Sequence, residues 1–377
     1  PDSRQHIASR LQALFGWKPS QFTPGGDPQI DEEILEALPW PQTKLLAEYL
    51  MVSKRLGQIA YGDNAWLKYV TTTGIYNRST GDVYRIHGRV HSNAAVTGRM
   101  THSNPNVAQT PKVGTPYGKE CRSCFIATPG LILVGCDAEG LELRCLAHYM
   151  AKWDDGEYAK AVVDGKKEDG TDVHSINKRI AEFNSRDNAK TLIYAFLYGA
   201  GDEKLGTIAY DDWDDEKRAR FNAKFPKGNS RRAAFKRVGG KLRAKFLAGL
   251  PALDSLIKAV KSAASRGWLK GLDGRRLHVR SEHAALNTLL QSAGALVMKK
   301  ALVISNQEFD ATIRAAGGTV AYVANVHDEF QIETEEENAE AVGLIAAESI
   351  RAAGEHFKFR CPLAGSFDIG RNWAATH

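Results

Sequence analysis

Residues 131–138, LILVGCDA, form a continuous apolar run that ends on an acid, the pattern of a strand buried on both faces. A second strand pattern, TVAYVANVHDEFQIET over 319–334, turns sharply at VHDE almost two hundred residues later. Apolar strands that end in acids point those acids at a common edge if the strands are neighbours in one sheet, which here would join them across everything between them. Asp137 and Asp328 then reach a common edge. That requirement constrains the fold more than any other feature of the sequence.

The interval is helical in pattern. From about 140 to 266 the periodicity is almost wholly that of helices, with breaks at Gly165, Gly170, Gly201, Pro226, Gly228 and Pro251. WLKGLDGRRLHVRS reads as a hairpin around Asp273-Gly274, a pair favoured in tight two-residue turns. Residues 282–309 read as a long helix, and 335–354 as a last helix before CPLAGSFDIG. Upstream, residues 31–70 read as an extended helical hairpin or arm with Leu45, Leu46, Tyr49 and Leu50 along it, interrupted only by Pro39 and Pro41. GIYNRSTGDVYRIHGRVHSN (74–93) reads as an antiparallel ribbon turning at Ser79–Asp82.

Composition excludes several classes. With 377 residues and 43% hydrophobic content the chain can bury a substantial core in two or three subdomains. No run of about 18 apolar residues is present and the first twenty residues lack the apolar centre of a signal peptide, so a cytoplasmic location is the default. The cysteines at 121, 124, 136, 145 and 361 are too few and too scattered for a disulfide framework, and the CxxC at 121–124 lacks a second pair for zinc. Net charge is +6, but eight of the nineteen residues from Lys227 to Lys245 are basic and none is acidic, which suits a polyanion or a solvated helix face.

Two carboxylates at strand ends suit Mg²⁺, which prefers oxygen ligands and keeps coordination sites for substrate phosphates. RDNAKTLIYAFLYGAG (186–201) supplies the complement. Arg186, Lys190, Tyr194 and Tyr198 recur every four residues, drift about 40° per step and so share a wedge of about 120° on one helix. Cations near its N-terminus, where the helix dipole also favours anions, can bind phosphate.

DAEGLELR (137–144), RDNAKTLIYAFLYG (186–199) and VHDE (326–329) resemble motifs A, B and C of family A DNA polymerases, in that order and at suitable separations. VTGRMTHSNPNVAQTP (96–111) and HAALNTLLQSAGAL (283–296) are similar to segments preceding motifs A and C. GLELRCLAHYMA, GLDGRRLHVRS and the closing NWAATH resemble the replicative polymerases of phages of the T-seven type.

The resemblance implies an α+β, right-hand polymerase fold: a mixed or antiparallel palm sheet (73–150 and 283–377), helical fingers (151–282) and a partial helical thumb (1–72). It implies a catalytic set of Asp137, Asp328, Glu329 and Lys190, with metal held by Asp137, Asp328 and the carbonyl of Ala138. The cofactor would be two Mg²⁺ ions, with Mn²⁺ as an alternative. Glu142, His174, Arg186, Lys190 and Tyr194 would bind the nucleotide. Glu142 would exclude a 2′-hydroxyl, and the phenol of Tyr194 is associated in the family with acceptance of chain-terminating nucleotides. Arg99, Asn287 and Gln291 would read minor-groove acceptors common to all correct pairs. His327 would brace the VHDE turn, Lys54 and Arg55 would contact phosphates, and Tyr198 would line the template side or simply pack.

The expected partners are primer-template DNA and deoxynucleoside triphosphates, with no membrane, in a phage-infected bacterial host. The outer thumb, where some phage relatives bind a host thioredoxin, is expected upstream of Pro1, so no processivity factor is assigned. No acid cluster precedes the helical arm, so no 3′ to 5′ exonuclease is expected in these residues. A single-subunit RNA polymerase would carry a small residue at 142 and Ser or a similar residue after the HD; Glu142 and Glu329 favour DNA. A silent nucleic-acid-binding remnant and a nuclease or phosphatase using the same two acids are the other rivals.

Overall fold

The apolar run at 131–138 and the strand pair around VHDE form one sheet. The computed structural model describes residues 3–19, 21–23, 25–77, 81–226 and 229–377. They divide into two compact units, one comprising residues up to Arg89 with His102–Val107, the other Val90–Thr101 with Ala108–His377.

In the first unit, helix Arg4–Phe15 is capped by the Ser3 hydroxyl and helix Glu32–Glu36 by the Asp31 carboxylate. Ile7, Leu11, Trp17, Ile30, Leu35, Ala47 and Leu50 form its core. Helix Pro41–Leu56 begins on Pro41, whose fixed φ suits a first turn. It is shorter than the arm expected over 31–70. One wide turn, Gly57–Tyr61, follows, and the chain leaves helix at Gly62, where a side chain would collide with the carbonyl of Gly57. The ribbon is present as Val70–Asn77 paired antiparallel with Gly81–Ile86, while Ser79 and Thr80 of its expected turn lie outside the described residues.

The second unit is built on a four-stranded sheet in the order Gly365–Gly370, Ile132–Ala138, Glu329–Thr334, Val320–Val326. All three pairings are antiparallel, so of the two alternatives for this sheet the antiparallel one holds. The central strand is buried along Ile132–Cys136, which explains its unbroken apolar run. Helices Ala285–Phe309 and Ala339–His356 pack on the sheet in the main core. Gly343 permits the close approach, since a Cβ there would enter the ring of Phe367.

Between the strands lie eight helices among the described residues, from Leu141–Met150 to Pro251–Ala264. Pro251 opens the last of them, and Gly201 precedes Asp202–Asp212. The hairpin at 268–278 is present, but its connection runs over Gly271–Arg275 and is not a two-residue turn. The amide of Gly271 donates to the carbonyl of Arg275, and Gly274 sits at φ +86°.

Most of the basic block lies on helix Asn229–Gly249; Lys227 and Gly228 are outside the described residues. Much of its charge is committed internally. Arg232 pairs with Glu203 at 2.9 Å, Arg243 with Asp202 at 2.6 Å, and Lys245 with Glu182. Arg231 lies over the rings of Tyr210, Phe221 and Phe235. Cys121 is buried and Cys124 exposed, and neither is in a disulfide.

Candidate active site

The strand register decides where the acids fall. Asp137 stands opposite Glu329, and the amide of Ala138 donates to the carbonyl of Asp328 at 3.0 Å. Asp137, Asp328 and Glu329 are therefore gathered at one end of two adjacent strands. Val326 pairs with Glu329, leaving His327 and Asp328 as a two-residue turn, with His327 at φ +59°. Such hairpins require positive φ, which His tolerates better than β-branched residues do.

The carboxylates raise one another's cost. Burial, then the charges of Asp328 and Glu329, push the Asp137 carboxyl up to about 7 against the opposing effects of His377 and Lys112. Glu329 is 4% exposed, yet it stays below its ordinary range. Burial alone would raise it; hydrogen bonds donated by His377, Trp373 and Gln331 outweigh that effect. The Gln331 amide donates at 2.7 Å, the Trp373 indole N–H donates to the same oxygen, and His377 Nδ1 lies at 3.2 Å. Arg122, buried and with its guanidinium 4.4 Å from the Trp373 ring centroid, lies 3.7 Å from the other oxygen. Thr376 closes the cluster by donating to Gln331 at 2.8 Å. Gly135 makes room for it, since a Cβ there would meet the Thr376 carbonyl.

Among the described residues no three His, Cys, Asp or Glu side chains are grouped to hold a metal by themselves. The donors at hand are two carboxylates and a backbone carbonyl. A hard divalent cation fits that set if water and substrate oxygens complete its shell, and it would relieve the crowding of negative charge that lifts Asp137.

The cationic helix takes the form its spacing requires. Over Arg186–Leu197, Ala189, Leu192, Ile193, Phe196 and Leu197 are buried, while Arg186 and Tyr194 are partly exposed and Lys190 is exposed. Ser185 caps its N-terminus. The helix ends at Leu197, so Tyr198 is its C-cap, and Gly199 follows at φ +75° where a Cβ would press on the His283 carbonyl. Lys190 has no ion-pair partner among the described residues, whereas Arg186 pairs with Asp172 at 2.7 Å. The ring of His174 is 6.4 Å from that of Tyr194, and its Nδ1 is buried without a hydrogen-bond partner. Burial, then the charge of Arg186, holds His174 below its ordinary range.

Tyr198 is 50% exposed and its hydroxyl donates to the carboxylate of Glu142. Glu142 projects from the first turn of helix Leu141–Met150, with Arg99 at 3.8 Å. The backbone just before Arg99 is tied by Lys299, whose ammonium donates to the carbonyls of Ser92 at 2.5 Å and Gly98 at 2.6 Å. Asn287 and Gln291 are partly exposed on helix Ala285–Phe309, on the side away from buried Leu286, Leu289 and Leu290. Lys54 and Arg55 belong to the first unit, in the last turn of Pro41–Leu56, where the helix dipole favours cations whatever else they do.

Sequence reading missed Asp172, Arg122, Gln331, Trp373 and Lys299. All but Gln331, which reaches Glu329 two residues away on the same strand, act through a partner 14 or more residues away, and none lies in a periodic pattern that would mark it. NWAATH signalled only a resemblance; its contacts give Trp373 and Thr376 a task beside Glu329.

The sequence model of DNA polymerase family A matches residues 1–375. The chain is 42% identical to the DNA-directed DNA polymerase of Enterobacteria phage T3 and equally to that of Escherichia phage T7, aligned over all of this chain and 52% of each relative. It is 27% identical to the thermostable DNA polymerase I of Thermus aquaticus over 78% of this chain and 33% of that protein. The chain thus spans about half the length of the phage relatives it matches. Among solved structures, the POL domain of Pol1 from M. smegmatis, in complex with DNA primer-template and dNTP, superposes with a TM-score of 0.74. At 20% identity, covering all of this chain and 61% of that one, it shares the fold: the α+β polymerase fold expected from the sequence. With nearly every residue matched, the chain belongs to DNA polymerase family A.

Proposed function

We propose that this chain carries the polymerase centre of a phage replicative DNA polymerase, adding deoxynucleotides to a primer 3′ end on a DNA template. The observation that carries this reading is the placement of Asp137 and Asp328 together at the ends of adjacent antiparallel strands, Asp328 tied through its carbonyl to the amide of Ala138. The palm is assigned to 73–150 and 283–377, the fingers to 151–282 and part of the thumb to 1–72. Extension of a labelled primer by wild type and by Asp328→Asn tests the reading. Mg²⁺-dependent growth with deoxynucleotides by the wild type alone supports it, and growth with ribonucleotides alone redirects it to RNA synthesis.

Asp137, Asp328 and the Ala138 carbonyl would hold two Mg²⁺ ions, or Mn²⁺. When bound, these would activate the primer oxygen and stabilise the departing pyrophosphate. Glu329, fixed by Trp373, Gln331 and His377, stays ionised beside them and shapes the primer end. Lys190 and the outward edge of Arg186 neutralise the triphosphate, with His174 beside them. Arg99, Asn287 and Gln291 test the minor groove of the terminal pair, and Lys54 and Arg55 hold backbone phosphates. No 3′ to 5′ exonuclease is assigned to these residues.

Glu142 is the discriminating residue. Tyr198 and Arg99 fix its carboxylate, so it can occupy the space a 2′-hydroxyl would need. Glu142→Ala is expected to raise the use of ribonucleotides relative to deoxynucleotides by about tenfold or more, read as the ratio of kcat/KM values in single-nucleotide extension. An unchanged ratio removes Glu142 from that role.

A further inference from the structure

The Arg186 guanidinium is not free to wander over the triphosphate. Asp172 accepts from its Nη2 at 2.7 Å and its Nε at 3.2 Å, a side-on pairing that fixes the plane of the fork. The same carboxylate accepts from the His174 amide at 3.0 Å and from the Ser175 hydroxyl, and it caps helix Val173–Ala181. At 7% exposure it is a buried acid that satisfies four donors from two helices. Three guanidinium N–H groups remain for a ligand, since the fork carries five.

An N-cap with an ion pair could be merely structural, but the start of helix Arg186–Leu197 is already secured elsewhere. Asp212, also buried, accepts from the amides of Asn184 at 2.6 Å and Ser185 at 2.8 Å and from the Asn188 side chain at 3.0 Å. Asp212 therefore holds the backbone at that start, and of helix Arg186–Leu197 Asp172 takes only the Arg186 side chain. On the other side of Asp172, the His174 ring has a buried Nδ1 without a partner. One carboxylate thus touches two residues assigned to the triphosphate, Arg186 through its side chain and His174 through its backbone amide.

We infer that Asp172 is a positioning residue for nucleotide binding, orienting Arg186 through its side chain and His174 through the cap. The inference rests on the polymerase reading above. Asp172→Asn separates the tasks, because Asn caps a helix as well as Asp: its amide oxygen still accepts from the His174 amide, and its NH2 can donate to the Ser175 hydroxyl oxygen. Only the charge that holds the guanidinium is lost. In primer extension, KM for the incoming deoxynucleotide should rise about tenfold while kcat stays within about twofold. Direct titration of a deoxynucleoside triphosphate should weaken by a similar factor. In an Arg186→Ala background the second substitution should add nothing.

A KM that is unchanged or lowered overturns the inference, as does an equal loss in the Arg186→Ala background. A wild type that extends primers while Asp172→Asn matches it ends this inference alone. A wild type that neither extends a primer nor binds triphosphate ends both this inference and the polymerase reading.

Discussion

Asp137→Asn is expected to lower primer extension by at least about a thousandfold and, in the absence of metal, to make the protein more resistant to heat at pH 8. The loss of activity follows if the Asp137 carboxylate carries a cation whose charge stabilisation amounts to several kcal/mol. The gain in stability follows from burial and from the neighbouring charges of Asp328 and Glu329, which lift the Asp137 carboxyl to about 7. An unfolded Asp ionises near 4, so the folded state holds its proton more tightly. The metal-free wild type therefore loses stability as pH rises from about 4 to about 7 and bears the full cost above that. Asn bears none at any pH. Thermal melts in chelator at pH 5 and pH 8 check this: the advantage of the variant should be larger at pH 8. An equal advantage at both, or a deficit at pH 8, would show that Asp137 is not held under this strain.

Tyr194→Phe is expected to turn an enzyme that accepts chain-terminating nucleotides readily into one that rejects them, by about tenfold or more. Tyr194 sits one helical turn beyond Lys190 on the same face, and its ring is partly exposed there. Its hydroxyl has no hydrogen-bond partner among the described residues. Burial, then the charges of Glu142 and Asp328, keeps that phenol protonated. It can thus donate to a phosphate oxygen left without the contact that a 3′-hydroxyl makes. Phe keeps the ring but loses the donor, so extension with normal nucleotides should change little. The ratio of kcat/KM values for normal and dideoxy substrates is the readout. A wild type that already prefers normal substrates strongly, with no further change in Tyr194→Phe, would contradict this role.

The sheet and the cationic face were legible because both repeat. LILVGCDA announces a strand buried on both faces, and the four-residue rhythm of Arg186 to Tyr198 puts four side chains on one wall opposite Leu192, Ile193 and Phe196. What repeats less was harder to read. GSFDIG became the edge strand Gly365–Gly370, although two glycines and an acid give it little strand character. Helix Pro41–Leu56 stopped short of its pattern because Gly62, Asp63 and Asn64 favour a turn over another helical step. The contacts of Tyr198 with Glu142, Trp373 with Glu329 and Lys299 with Gly98 join residues 44 to 201 positions apart. Only tertiary packing brings such groups together, so no local pattern encodes them. Asp172 shows the same limit: in the sequence it precedes a helix as any capping residue does, and its second task appears only when Arg186 folds against it.

The most direct test is primer extension with purified protein, a labelled primer on a DNA template, all four deoxynucleotides and Mg²⁺, run beside Asp328→Asn. The account predicts template-directed growth by the wild type, none after chelation, and none above background by the variant. Growth by Asp328→Asn at the wild-type rate, or no synthesis by the wild type with either Mg²⁺ or Mn²⁺, would contradict it.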